Sequence, residues 1–161
     1  LDKGTTGLMV VAKSGYIHDR LRYALHTERF CREYRAVCIG CPDPKSGTID
    51  APIARLNGSL IQRTVDFASG ERSVTHYRTL AHCSVFSHLE LNLETGRTHQ
   101  IRVHMAYIGH PLLGDTLYNK TPGTFPRQAL HSASLSFVHP ITGEPLNFHA
   151  PLPEDMQNLL T

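Results

Sequence analysis

A chain of 161 residues, 40% of them apolar, suits one folded domain with a core of its own and argues against disorder. No apolar run approaches the roughly 20 residues that a bilayer crossing needs, and Asp2 and Lys3 at the very start do not read as a secretory leader. The net charge is +2 with 11 histidines counted as neutral, too balanced to announce a nucleic-acid binder, so any basic face has to be found in motifs. Four cysteines (Cys31, Cys38, Cys41, Cys83) do not make a disulfide scaffold at this size, and a reducing cytoplasm is the simpler setting. The chain opens at Leu1 without a methionine and reads as an excised piece of a longer product.

Along the chain, the apolar run Leu8 to Ala12 predicts a buried strand. Ser14 is placed to cap a helix in which Ile17, Leu21, Ala24 and Leu25 recur at helical spacing through about Phe30. Glu33 to Gly40 alternates as a strand, with Tyr34, Ala36 and Cys38 on one face and Arg35, Val37 and Ile39 on the other. Cys41 to Gly47 is rich in turn residues. Short β-type runs follow from Thr48 to Arg63 and from Ser73 to Thr95, with Gly70-Glu71-Arg72 as a polar loop between them and Val85 to Leu93 as the clearest alternation. Thr98 is a candidate cap for a helix whose stripe is Ile101, Met105 and Ile108, closed by Gly109 and Pro111. Ala129 to His139 and Leu146 to His149 read as strands around the turn at Pro140 to Gly143, and a last helix starts near Pro153-Glu154. The whole is an α+β pattern, a mixed and mostly antiparallel sheet with a few flanking helices, without repeats or a second domain.

Two segments carry dense polar chemistry. In Leu1-Asp2-Lys3-Gly4-Thr5-Thr6-Gly7-Leu8 an acid precedes two glycines, two threonines and the first apolar run. Asp2 as a turn residue is one reading. A phosphate-cradling loop is a weaker one, because the Lys-Ser/Thr pair of a P-loop is missing. In Gly96-Arg97-Thr98-His99-Gln100-Ile101-Arg102-Val103-His104, two arginines, two histidines and a glutamine surround a helix start. Arg97 at that junction can meet a phosphate beside free backbone amides. Arg102 flanks the apolar stripe, and if it turns inward it needs an acidic partner, since an unpaired buried charge is costly. The alternative is a solvated basic helix.

Taken together and in this order, the two segments resemble the RluA-type pseudouridine synthases, whose signature runs Leu-Asp-Lys-x-Thr-(Ser/Thr)-Gly-Leu and then, about 90 residues on, Gly-Arg-Thr-His-Gln-Ile-Arg-Val-His. The likeness continues through Glu33-Tyr34-Arg35-Ala36, Ala51-Pro52-Ile53, Gly109-His110-Pro111-Leu112-Leu113-Gly114-Asp115 and Leu130-His131-Ser132-Ala133, and so spans nearly the whole chain. The resemblance implies the pseudouridine synthase catalytic fold and an enzyme that isomerises uridine in RNA. It makes Asp2 the catalytic carboxylate, Tyr34 the aromatic that packs on the target base, and Arg102 the ion-pair partner of Asp2. Such a pair keeps the carboxylate ionised and oriented, ideally through a bidentate contact. Arg97, His99 and Gln100 are the candidates for RNA backbone or base contacts. The reaction is redox-neutral, so neither cofactor nor metal is implied. Ribosomal RNA is the first expectation for the substrate and transfer RNA the second, and no membrane partner is implied.

Two other readings stay open on the residues: a non-catalytic RNA-binding module using Arg97, His99 and Arg102, and a zinc-stabilised domain drawing on Cys31, Cys38 and Cys41 with His76 or His82. Relative to the family, the His-Arg before Leu1 is absent, as are the upstream strand segment and any small N-terminal RNA-binding domain. The expectation is therefore an N-terminally truncated catalytic domain over 1–161, with an unpaired sheet edge or apolar patch that invites self-association.

Overall fold

The structure, a computed structural model, describes residues 1–25, 27 and 29–160. These form, in chain order, β1 (Thr6–Gly7), α1 (Gly15–Ala24), β2 (Phe30–Ile39), β3 (Ser46–Asp50), β4 (Ile53–Arg55), β5 (Arg63–Val65), β6 (Val74–His82), β7 (Phe86–Leu93), α2 (Gln100–Tyr107), β8 (Leu130–Val138), β9 (Pro145–His149) and α3 (Glu154–Gln157). Seven of the strands make one sheet in the order β1-β8-β2-β7-β6-β3, with β9 also on β8, and β4 and β5 pair separately as a small ribbon. Every pairing is antiparallel except that of β1 with β8. The expected α+β architecture is the one observed.

The period-two pattern decides where the core lies. Tyr34, Ala36 and Cys38 on one face of β2 meet Leu89 and Leu91 of β7, and α2 lays Ile101 and Met105 over them. On the opposite face Val37 packs with Ala129 and with Met156 of α3. The sheet is thus covered on both sides where β2 crosses its middle, and the side of Tyr34 and α2 carries the candidate site.

Three expectations on the elements change. The run Leu8 to Ala12 is not a buried strand: Met9 and Val11 are exposed, and only Leu8, Val10 and Ala12 pack inward. The reason is competition for one strand edge. β1 holds β8 at His131 and Ser132, Leu8 takes one more bond from the Ser132 carbonyl at 3.0 Å, and from Ser134 onward β9 occupies that edge. Gly7 is needed at this junction, because its φ is +101° and a Cβ there would lie 2.1 Å from the Ser132 carbonyl oxygen. The first helix is capped by Ser14 as expected, but it ends at Ala24. Its expected continuation toward Phe30 runs through positions 26 and 28, which lie outside the described residues, and Phe30 itself begins β2. Thr98 does not cap α2; the cap position belongs to His99, which makes no side-chain capping bond. Among the described residues no helix is long and apolar enough to cross a membrane.

Candidate active site

Asp2 enters the site on a tight turn. The Thr5 amide donates to the Asp2 carbonyl at 3.0 Å, and Gly4, at φ +87°, allows the reversal. The segment before β8 pins this turn from outside. Gln128 donates to the Lys3 carbonyl at 2.8 Å, and Arg127 donates to the Gly4 carbonyl at 3.2 Å while it grips Asp155 of α3 through two bonds of 2.9 Å.

Across the cavity, the second segment is held by Gln100. Its side-chain oxygen accepts from the Arg97 amide at 2.9 Å and the Thr95 hydroxyl at 2.8 Å, and its amide nitrogen donates to the Val74 carbonyl and the Thr75 hydroxyl. Buried, and with four hydrogen bonds inside the protein, Gln100 braces the start of the helix. His99 adopts φ +58°, the only positive value at a non-glycine among the described residues, a conformation that costs about 1 kcal/mol or more. That backbone aims the ring at the cavity, with Nδ1 2.8 Å from the Tyr118 hydroxyl and Nε2 4.0 Å from the Asp2 carboxylate.

Arg102 lies at the centre. One nitrogen, Nη1, donates to Asp2 at 3.3 Å, joining residues 100 positions apart. The bidentate contact expected with Asp2 is instead made with Asp115: Nε and Nη2 reach its two carboxylate oxygens at 2.7 and 2.8 Å. Asp115 is buried and also accepts from the Leu117 and Tyr118 amides, and the guanidinium sits 5.1 Å from the centre of the Tyr118 ring. Burial works against the Arg102 charge, but the bonds to Asp115 and then to Asp2 outweigh it and raise its pKa. Burial lowers the pKa of His99, Asp2 opposes this, and Arg102 and Arg63 reinforce it, so the ring is neutral at neutral pH.

Tyr34 projects from β2 into the same cavity, a cleft of about 300 Å³ that Asp2, Arg32, His99 and Arg102 also line. Burial raises the Tyr34 pKa, with Arg32 opposing and Asp2 reinforcing, so the phenol keeps its proton. Asp2, Tyr34, His99 and Arg102 therefore meet around one hollow. Arg97 stands at its edge, tied to Glu71 and to the Arg72 carbonyl, beside a second cleft of about 520 Å³ that Arg55 and Arg63 line.

The residues of the zinc reading are committed elsewhere. Cys38 is buried in β2 with its thiol pushed up to about 12 by burial, His76 bonds Thr48 and Glu94, and His82 bonds Lys45. Among the described residues no three His, Cys, Asp or Glu side chains are grouped to hold a metal ion.

With this geometry in view, comparison with known proteins identifies the family. A family model described as RNA pseudouridylate synthase matches residues 1–107. The chain belongs to the RNA pseudouridylate synthase family. Among curated relatives, an uncharacterized RNA pseudouridine synthase, YjbO, of Bacillus subtilis (strain 168) is 49% identical over 160 residues, 99% of this chain and 56% of the relative. Ribosomal large subunit pseudouridine synthase D of Vibrio cholerae is 49% identical over 97% of this chain and 52% of its own length. The protein of that name in Escherichia coli K12 is 45% identical over 99% of this chain and 53% of its own length. The chain thus spans about half the length of the curated relatives it matches. Among solved structures, human RNA pseudouridylate synthase domain containing 4 superposes with a TM-score of 0.80 at 25% identity, over 99% of this chain and 72% of the human one. Human RNA pseudouridylate synthase domain containing 1 gives a TM-score of 0.78 at 27% identity, over 94% and 66%.

Three residues at the site carry a role that the sequence reading does not give them: Arg32 lines the cavity, and Asp115 and Tyr118 support Arg102 and His99 behind it. Asp115 stood in a stretch that shares the family pattern, and a buried arginine asks for acids, but one acid had already been assigned to it. Tyr118 gave no signal at all. Arg32 did give one: it lies two residues before Tyr34 in a β strand, and so on the same face. The alternation from Glu33 does not reach it, whereas β2 begins at Phe30.

Proposed function

We propose that residues 1–161 are the catalytic domain of an RNA pseudouridine synthase acting on ribosomal RNA, with transfer RNA as the second substrate class. The observation that carries this reading is the hydrogen bond of 3.3 Å between Arg102 and Asp2, at the floor of a cleft that also holds the Tyr34 ring. A pure binding module has no use for an oriented carboxylate in that position. The names of the relatives from Vibrio cholerae and Escherichia coli, ribosomal large subunit pseudouridine synthases, support the choice of RNA. Such a substrate puts the protein in the cytoplasm.

In this reading the target uridine leaves the RNA stack, at a cost of a few kcal/mol, and its base packs on Tyr34, which offsets part of that cost. The bond between ribose C1′ and base N1 breaks, a bond between C1′ and C5 forms, and the proton on C5 is lost while N1 gains one. Atoms and electrons balance within the substrate, so the chemistry calls for no cofactor. Asp2 serves as nucleophile or as the charge opposite the developing cation, and either role requires it ionised. Arg102 orients it. Tyr34, with its pKa raised, acts with its proton in place, as a stacking ring and hydroxyl.

Asp2→Asn tests this directly. Pseudouridine formation falls below detection while RNA binding persists, because the charge is lost and the shape is kept. Product formation at the wild-type rate by that variant defeats the proposal.

A further inference from the structure

The other two arginines that line the cavity have carboxylate partners: Arg102 has two, and Arg97 has Glu71. Arg32 does not. Among the described residues its guanidinium makes one bond, from Nη2 to the Thr95 carbonyl at 3.3 Å. Nε is buried without a partner, and Nη1 has none either. Gly96 leaves space for this arrangement, since a Cβ at that position would lie 2.7 Å from Nη1. Burial lowers the Arg32 pKa and no carboxylate opposes the effect. A half-buried positive charge without a counter-charge is costly to maintain in the free protein.

Its position suggests what compensates it. Arg32 and Tyr34 are i and i+2 on β2, side by side on one face and roughly 7 Å apart along the strand. That separation is of the order of the distance between a base and the phosphate of its own nucleotide. Arg32 also stands where the Asp2 cleft meets two further hollows, one running past Leu21 and Leu25 and one past Arg72 and His76. This junction offers an RNA strand that leaves its base on Tyr34 a path past Arg32.

We propose that Arg32 binds the phosphodiester flanking the base that packs on Tyr34, with Nη1 as the donor. The assignment rests on the uridine-isomerase reading and adds to it the group that fixes the backbone of the extruded nucleotide. The guanidinium is a positioning group for RNA, distinct from the reacting atoms.

The test uses this chain with a transcript of bacterial large-subunit ribosomal RNA, measuring pseudouridine formation, RNA binding across a range of salt, and melting temperature. Arg32→Gln raises Kd and KM about tenfold through loss of one charge-assisted bond, with kcat at saturating RNA little changed. Its plot of log Kd against log salt is shallower by about 0.7–0.9, the signature of one phosphate contact fewer. Arg32→Lys restores the slope and part of the affinity, because the charge remains and the planar fork is gone. Melting temperature stays level or rises in Arg32→Gln, whereas a residue needed only as a brace for Thr95 would lower it. If Arg32→Gln does not fold, Arg32→Met keeps the stem and replaces it. If the wild type makes pseudouridine and Arg32→Gln keeps the wild-type salt slope, the phosphate contact is overturned and the isomerase reading stays intact. A wild-type chain that binds this RNA without making product defeats the isomerase reading instead, and the slope still decides the contact.

Discussion

Arg102 grips Asp115 with two hydrogen bonds, at 2.7 and 2.8 Å, and reaches Asp2 with only one, at 3.3 Å. The buried aspartate anchors the guanidinium, and the free nitrogen of that anchored group presents a charge to the cavity. One arginine thereby joins a fully buried carboxylate to one at the cavity. Its two acids should respond differently to mutation.

Asp115→Ala removes both short bonds and leaves a buried guanidinium short of a counter-charge, a loss of about 3–5 kcal/mol in folding stability. Asp2→Asn should cost less than about 1 kcal/mol, because its carboxylate is 22% exposed and makes the longer contact. Urea unfolding of the two variants measures the difference. Equal losses would mean that Asp2 is as structural as Asp115.

Gln100 gives a second contrast. Gln100→Leu breaks four buried hydrogen bonds and strands their partners, costing about 1–3 kcal/mol by chemical denaturation. Its salt dependence of RNA binding should match the wild type, since the side chain is uncharged, buried and bonded within the protein. A shallower slope would make Gln100 an RNA contact.

The turn bearing Asp2 is held through Arg127, whose other side grips Asp155. Asp155→Ala loosens that arginine and lets the turn shift; on the role proposed for Asp2, such a misplacement lowers the rate on the order of 10–100-fold. Single-turnover kinetics should show kcat reduced with little change in KM. A drop in RNA affinity with normal kcat would place Asp155 on the binding path.

Acid should destabilise the fold at mildly low pH. His88, His99 and His104 all have pKa values lowered from 6.5, each chiefly by burial. The unfolded chain therefore binds protons first as pH falls, so stability is full above about pH 6.5 and declines below it toward the depressed native values. His104 is completely buried between the Thr75 hydroxyl and the Ala51 carbonyl, and it should contribute most. Thermal melts between pH 8 and pH 5 read this directly; a melting temperature independent of pH across 6.5 would contradict it.

Local pattern was enough for much of this molecule. The alternation of Tyr34, Ala36 and Cys38 specified a strand and its inward face, because a strand's side chains must point to opposite sides in turn. Ser14 and the spacing of Ile101, Met105 and Ile108 marked two helices by similarly local rules. Asp2 and Arg102 stand in contiguous motifs, and their partnership is what the family resemblance of those motifs implies, not something either stretch states by itself. Tertiary structure decided what depends on competition between distant groups. Whether Leu8 to Ala12 joined the sheet depended on β9 holding the same edge of β8. Whether Gln100 faced solvent depended on Val74 and Thr75 lying beneath it. Asp115 takes the stronger hold on Arg102 because the chain buries it completely, where a carboxylate gains most from pairing, and burial is a property that no stretch of sequence carries by itself.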